Sequence, residues 1–222
     1  MKMRPILFSG SMVRALLGDC KTMTRRAIKK PEPTLFPDWF ASASWEPDFG
    51  LVVKDHEGKG RGTWTRECTY GQPGDILWVR ETFATDDGET FWYRADGETY
   101  NHGLPWKPSI HMPRRAARIF LQIIDVRVER LNVISDNGVK AEGIDQVREE
   151  WSRHPDFCET LTDRELFQTL WKSINGKGSW GANPWVWVVE FRRLGPDELA
   201  KIRMDELRQF AQSAPFNLEA TP

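Results

Sequence analysis

Gly18-Asp19-Cys20-Lys21-Thr22-Met23-Thr24-Arg25-Arg26 is the stretch on which the reading of this chain turns. It follows a short amphipathic segment, Met12-Val13-Arg14-Ala15-Leu16-Leu17, and Gly18 is expected as the left-handed residue that stops that helix. Beyond it the side chains alternate. A regular strand puts Lys21 and Met23 on one side and Thr22, Thr24 and Arg26 on the other. A helix end that feeds a strand holds its side chains on rigid backbone. Lys21 can act as a base if it is desolvated, and Thr24 as a nucleophile if such a base lies beside it. The competing reading is a solvated basic strand, continued by Lys29-Lys30.

Composition narrows the classes. The chain has 222 residues, of which 40% are hydrophobic, enough to bury the core of one large domain or of one domain with an appendage. Its 31 basic and 32 acidic residues leave a net charge of −1, so no global field draws it to nucleic acid or to a membrane. Affinity for nucleic acid has to come from a local patch. The 3 cysteines (Cys20, Cys68, Cys158) and 4 histidines are scattered and show no metal-ligand spacing, so no metal is expected. Reduced thiols in a cytoplasmic protein are the corresponding expectation. No apolar run reaches the length of a membrane span, and the first residues lack a signal-peptide pattern. The 11 tryptophans serve either an aromatic core or base stacking.

Along the chain, Arg4-Pro5-Ile6-Leu7-Phe8-Ser9 reads as a first strand, with Ser9 or Ser11 capping the helix that ends at Gly18. From Pro31 to about Glu67 prolines and a Gly58-Lys59-Gly60-Arg61-Gly62 run dissolve the pattern. The stretch is expected to be a long insertion with one weak strand at Gly50-Leu51-Val52-Val53. Pro73-Gly74-Asp75 turns into the strand Ile76–Phe83, and two Asp-Gly turns bracket another at Thr90–Arg94. Leu104–Arg115, with its prolines, is held extended and presents Trp106 beside basic groups. Arg118–Val128 is a strand that is apolar on both faces at first and then alternates. Ser135 caps a helix ending at Gly143 with Glu142 in its last turn, and Thr162-Asp163-Arg164-Glu165 opens the next helix as a capping box. Trp185–Phe191 is the last strand, followed by a helix from Pro196 with Leu199, Ile202, Leu207 and Phe210 inward. Short strands joined by turns, with few helices, predict an α+β fold, a small mixed barrel, over a doubly wound sheet. No GxGxxG, P-loop or GxSxG is present, and no cofactor is expected.

Several of these pieces resemble one family. Gly18 with Lys21-Thr22-x-Thr24-x-Arg26, the Pro73-Gly74-Asp75-Ile76-Leu77-Trp78-Val79 element, Ala141-Glu142-Gly143 and the closing strand Trp185–Phe191 are similar to the motifs of ASCH domains. The likeness is closest to their phage and prophage branch, through Arg4-Pro5-Ile6-Leu7-Phe8-Ser9, Trp78-Val79-Arg80-Glu81-Thr82 and Pro108-Ser109-Ile110-His111-Met112-Pro113-Arg114. It implies a PUA-like small β-barrel with peripheral helices over residues 1–194, a variable insertion at about 31–67, and a C-terminal helix and tail over 195–222. One departure is that Gly18 stands three residues before Lys21, where the family motif has two.

The resemblance implies binding of RNA or of a modified nucleoside, ribonuclease activity, or hydrolysis of the amide of N4-acylated cytidine. For the last, Lys21, Thr24 and Glu142 are the residues carried over as catalytic. Arg26, Arg80, Glu81, Trp106, Arg114 and Arg115 are the candidate binding residues. Glu81 is included because its charge ends an otherwise apolar strand, as at a barrel rim. Arg25, Arg118, Lys29 and Lys30 are further candidates for phosphate, and Trp78 and Trp92 for stacking. A third class is an accessory protein that binds a host protein through the insertion and the C-terminal helix.

Overall fold

The first strand, β1 (Met3–Leu7), runs into helix α1 (Gly10–Leu17), and the chain returns as β2 (Met23–Ala27). Then come β3 (Phe40–Glu46), β4 (Gly50–Asp55), β5 (Gly60–Thr63), β6 (Ile76–Arg80), and the short pair β7 (Phe83–Ala84) and β8 (Trp92–Tyr93). The long strand β9 (Phe120–Arg130) leads to helices α2 (Asp136–Ala141), α3 (Ile144–Trp151) and α4 (Asp163–Asn175), and β10 (Trp185–Arg193) ends the sheet. A fifth helix occupies 196–202. This computed structural model describes residues 1–28, 40–46, 48–63, 68–97, 102–154, 160–202 and 204. Lys29, Lys30, Cys158, Leu207 and Phe210 lie outside the described residues.

The fold is α+β, built on a mixed sheet of eight strands. β9 is its axis. One edge of β9 pairs along its length with β10, which in turn carries β2. The other edge takes β6 at Phe120–Gln122 and β3 at Arg127–Val128. β1 lies parallel to β6, and β3, β4 and β5 form an antiparallel meander. Among the described residues β1 and β2 do not pair, so the sheet is not closed into a barrel. The Arg26 side chain spans that opening, its guanidinium donating to the Leu7 carbonyl at 2.6 Å.

Two hydrophobic clusters explain why β9 begins apolar on both faces. Leu121, Ile123, Val126 and Val128 enter the main core, whereas Phe120 joins Ile76, Phe83, Met112 and Leu194 on the opposite side of the sheet. Alternation then breaks once. Glu190 pairs with Asp125 and Phe191 with Ile123, which leaves Ile124 as an extra residue in a bulge, 54% exposed.

The structure corrects several sequence expectations. Gly18 is not left-handed (φ −84°); Asp19 is, at φ 55°. Aspartate tolerates that region, and two 2.8 Å bonds from Arg193 hold its carboxylate. Ser9 occupies the α1 N-cap without a side-chain cap bond. Within the expected insertion, the weak strand is β4 in a three-stranded meander joined to β9. The strand expected at Thr90–Arg94 shrinks to β8 and, among the described residues, pairs with β7 outside the main sheet. Leu104–Arg115 is extended only in part. It forms short 3-10 turns at Ser109–His111 and Arg114–Ala116, which bury Met112 in the second cluster. Helix α3 was not anticipated, since Gly143, left-handed at φ 79°, starts a new helix where one was expected to end.

Candidate functional site

The turn after α1 is fixed by backbone geometry. The N–H groups of Cys20 and Lys21 both donate to the Ala15 carbonyl, at 2.9 and 3.1 Å. Thr22 N–H then donates to Ala141 O at 2.9 Å, and Lys21 and Glu142 form an isolated antiparallel bridge. Two residues 121 positions apart are thus held side by side by main chain. On the other side, Ser135 caps α2 by accepting from Gly138 N–H at 3.1 Å, and Glu142 closes it. Gly143 must be a glycine here. Its φ is positive, and a Cβ would lie 2.8 Å from the Ala15 Cβ and 3.0 Å from the Lys21 Cβ.

Lys21 is 3% exposed and Glu142 5%. The Lys21 ammonium donates to Met23 O, Glu142 O and Glu142 Oε2, each at 2.8 Å. All three of its protons are therefore occupied, and in this state it has no lone pair to act as a base. Burial drives the Lys21 pKa below its ordinary value; the Glu142 carboxylate opposes that and Arg26 and Arg25 add to it. Passing one proton to Glu142 would turn the pair into a neutral amine and acid, the form in which Lys21 can accept a proton.

Arg25 was a candidate for phosphate, and the structure corrects that. It is 6% exposed and sits between Glu142 Oε1 (3.3 Å) and Glu129 Oε2 (3.5 Å). Glu129 also takes Arg127 at 2.6 Å, and Arg127 in turn meets Asp125 and Glu190. The Lys21–Glu142 pair is thus one end of a row of alternating charges across β2, β9 and β10.

By strand alternation Thr24 and Arg26 face the side of β2 away from Arg25. Thr24 is 3% exposed, and among the described residues its hydroxyl makes no hydrogen bond, to Lys21 or to any other group. Arg26 leans over the Phe8 ring at 5.1 Å, and the Lys21 Nζ lies 5.5 Å from the same ring. The Arg26 Nε is buried and has no partner among the described residues. Burial lowers the Arg26 pKa, while Tyr70 and Glu142 offset part of that cost. Phe8 and Tyr70 escaped the sequence reading; an aromatic side chain near a strand end carries no signal beyond core packing.

The remaining candidates lie elsewhere. Glu81, 2% exposed, accepts two 2.9 Å bonds from Arg118, which also pairs with Asp96 and stacks on Tyr93 at 4.0 Å. Burial raises the Glu81 carboxyl against the pull of Arg118. That ion cluster shares no partner with Lys21 and Glu142. Arg80 donates to the carbonyls of Met112 and Ile110 and packs on Trp78, so it anchors the 3-10 segment. Arg114 and Arg115 are exposed on the next turn, Arg115 donating to Gly88 O at 3.1 Å. Trp106, expected outside, is half-buried. Among the described residues no group of His, Cys, Asp or Glu is arranged to hold a metal, and no helix is long and apolar enough to cross a membrane. Comparison with protein-family models, curated proteins and solved structures finds no match to this chain.

Proposed function

We propose that this chain is an ASCH-type protein of the phage and prophage branch whose opened sheet is a variant of the PUA-like barrel. Its ligand is a modified nucleoside or RNA, and its reaction is hydrolysis of the amide of N4-acylated cytidine. The observation that carries this reading is the buried Lys21–Glu142 pair beside the unpartnered Arg26 Nε. A desolvated proton relay next to an unused cationic donor is what acyl transfer requires. In the proposed step Lys21, having passed a proton to Glu142, takes the Thr24 hydroxyl proton as Thr24 attacks the acyl carbon. The oxyanion is held by Arg26, the cytosine amine leaves with a proton from the relay, and water releases the acyl group as a carboxylate.

Acetate release from N4-acetylcytidine tests this. Wild-type protein is expected to release it. Thr24→Ala is expected to lose at least about a thousand-fold in rate while keeping its fold. Lys21→Arg is expected to be inactive, because a guanidinium does not act as a base near neutral pH. Turnover that survives Thr24→Ala removes Thr24 as nucleophile and leaves an activated water in its place. Wild-type protein that releases no acetate yet binds RNA with a steep salt dependence is a binding module.

A further inference from the structure

A second site lies at the opposite end of the β1–β6 pair, where a cleft of about 110 Å³ is lined chiefly by Lys2, Arg4, Trp45, Cys68, Gln72 and Asp75. Arg4 faces inward with Ile6 and Phe8 by strand alternation. Its Nε is buried without a partner, and among the described residues no carboxylate or carbonyl meets its guanidinium. Lys2 likewise has no ion pair among the described residues. The nearby acid makes no ion pair with either side chain among the described residues. Asp75 accepts the Lys2 backbone N–H at 2.7 Å and the Gln72 N–H at 3.3 Å, so one oxygen is tied to the chain leading into β1 and the other to the turn. The Cys68 thiol is pushed up to about 11 by burial, so it is neutral and no counter-ion either. Trp45, half-buried, gives the cleft an aromatic wall.

A guanidinium that finds no partner for its buried Nε among the described residues, beside the exposed Lys2 and in a cleft too small for a large ligand, calls for a compact anion. We propose that this cleft binds a phosphate group carried by a nucleotide or by an RNA strand. Arg4 supplies the guanidinium, Lys2 the second charge, and Trp45 the surface on which the adjoining sugar or base rests. Arg4 lies about 10 Å along β1 from Leu7, where Arg26 docks. A short strand that starts at the Lys21 site can therefore reach it. The site stands on its own chemistry whether or not Lys21 and Glu142 hydrolyse an amide.

Binding tests it without reference to turnover. The probes are cytidine 5′-monophosphate, inorganic phosphate and a short single-stranded RNA, titrated at low salt. Arg4→Gln is expected to weaken binding of a phosphate-bearing probe at least about ten-fold. Lys2→Gln, at an exposed residue that leaves the fold intact, is expected to weaken it less and to lower the salt slope. In the wild type the bound probe is expected to slow phenylglyoxal modification of Arg4 but not of exposed Arg153. Protection by RNA alone assigns the phosphate to a strand, and equal protection by cytidine 5′-monophosphate assigns it to a free nucleotide; both uphold the proposal. Affinity unchanged in both variants, or Arg4 modified at the same rate with every probe, overturns it.

Discussion

A lysine and a glutamate that are both nearly inaccessible to water stabilise the fold only as a pair. Removing one partner from a buried pair typically costs about 3–5 kcal/mol. Glu142→Gln is expected to cost about that much, because the Lys21 ammonium loses the one carboxylate it meets among the described residues. Lys21→Met is expected to cost less, since Arg25 still faces Glu142; urea unfolding of the two variants checks the order. The pH dependence follows from the lowered Lys21 pKa. Between that value and its ordinary 10.5 the unfolded chain binds more protons at Lys21 than the folded one, so stability from this group rises with pH across that window. Cys68 acts in reverse, since its raised pKa favours the folded state below about pH 9 and that benefit fades as pH rises towards about 11. Lys21→Met is therefore expected to flatten the alkaline rise and leave the Cys68 decline. A variant that keeps the rise contradicts the assignment to Lys21. The residues Lys21 and Glu142 could be picked from the sequence by motif alone. Their partner Arg25 could not, because alternation assigns a face to a side chain and says nothing about which helix covers that face.

Elements position these side chains, and the tightest joint is Gly143. Gly143→Ala would force a Cβ into Ala15 and Lys21 at a left-handed position, with an expected cost of about 2–4 kcal/mol. Gly74→Ala, also at positive φ but with nothing within 4 Å, is expected to cost only about 1–2 kcal/mol. Thermal unfolding of the pair separates crowding from backbone strain. The elements differed in how far the sequence declared them. β9, β10 and α4 were legible because their apolar periods are long and α4 carries the full Thr162–Glu165 capping box. The β3–β5 meander was not, because glycines at 50, 58 and 62, which adopt positive φ at its turns and edge, read as loop. The left-handed residue slipped from Gly18 to Asp19 because Arg193, 174 residues away, holds the Asp19 carboxylate. No local rule can see that contact.

At the scale of the molecule, the near-zero net charge means that any attraction for RNA is local and is carried by separate patches. Arg114 and Arg115 are exposed on a turn set apart from the Lys21 pair by the second hydrophobic cluster. Replacing both with alanine is expected to leave nucleoside turnover intact and to reduce the salt slope of RNA binding by about 0.7–0.9 per lost contact. An unchanged slope removes them from the interface. The opening between β1 and β2, bridged by Arg26 through Leu7, is the proposed seat of the acylated base. The most direct measurement is the structure of Thr24→Ala bound to N4-acetylcytidine. The acyl oxygen is expected within hydrogen-bond reach of Arg26 Nε and the acyl carbon facing residue 24, with the Lys21–Glu142 pair beside it. A nucleoside bound away from β2, with Arg26 Nε still unpartnered, would contradict that placement.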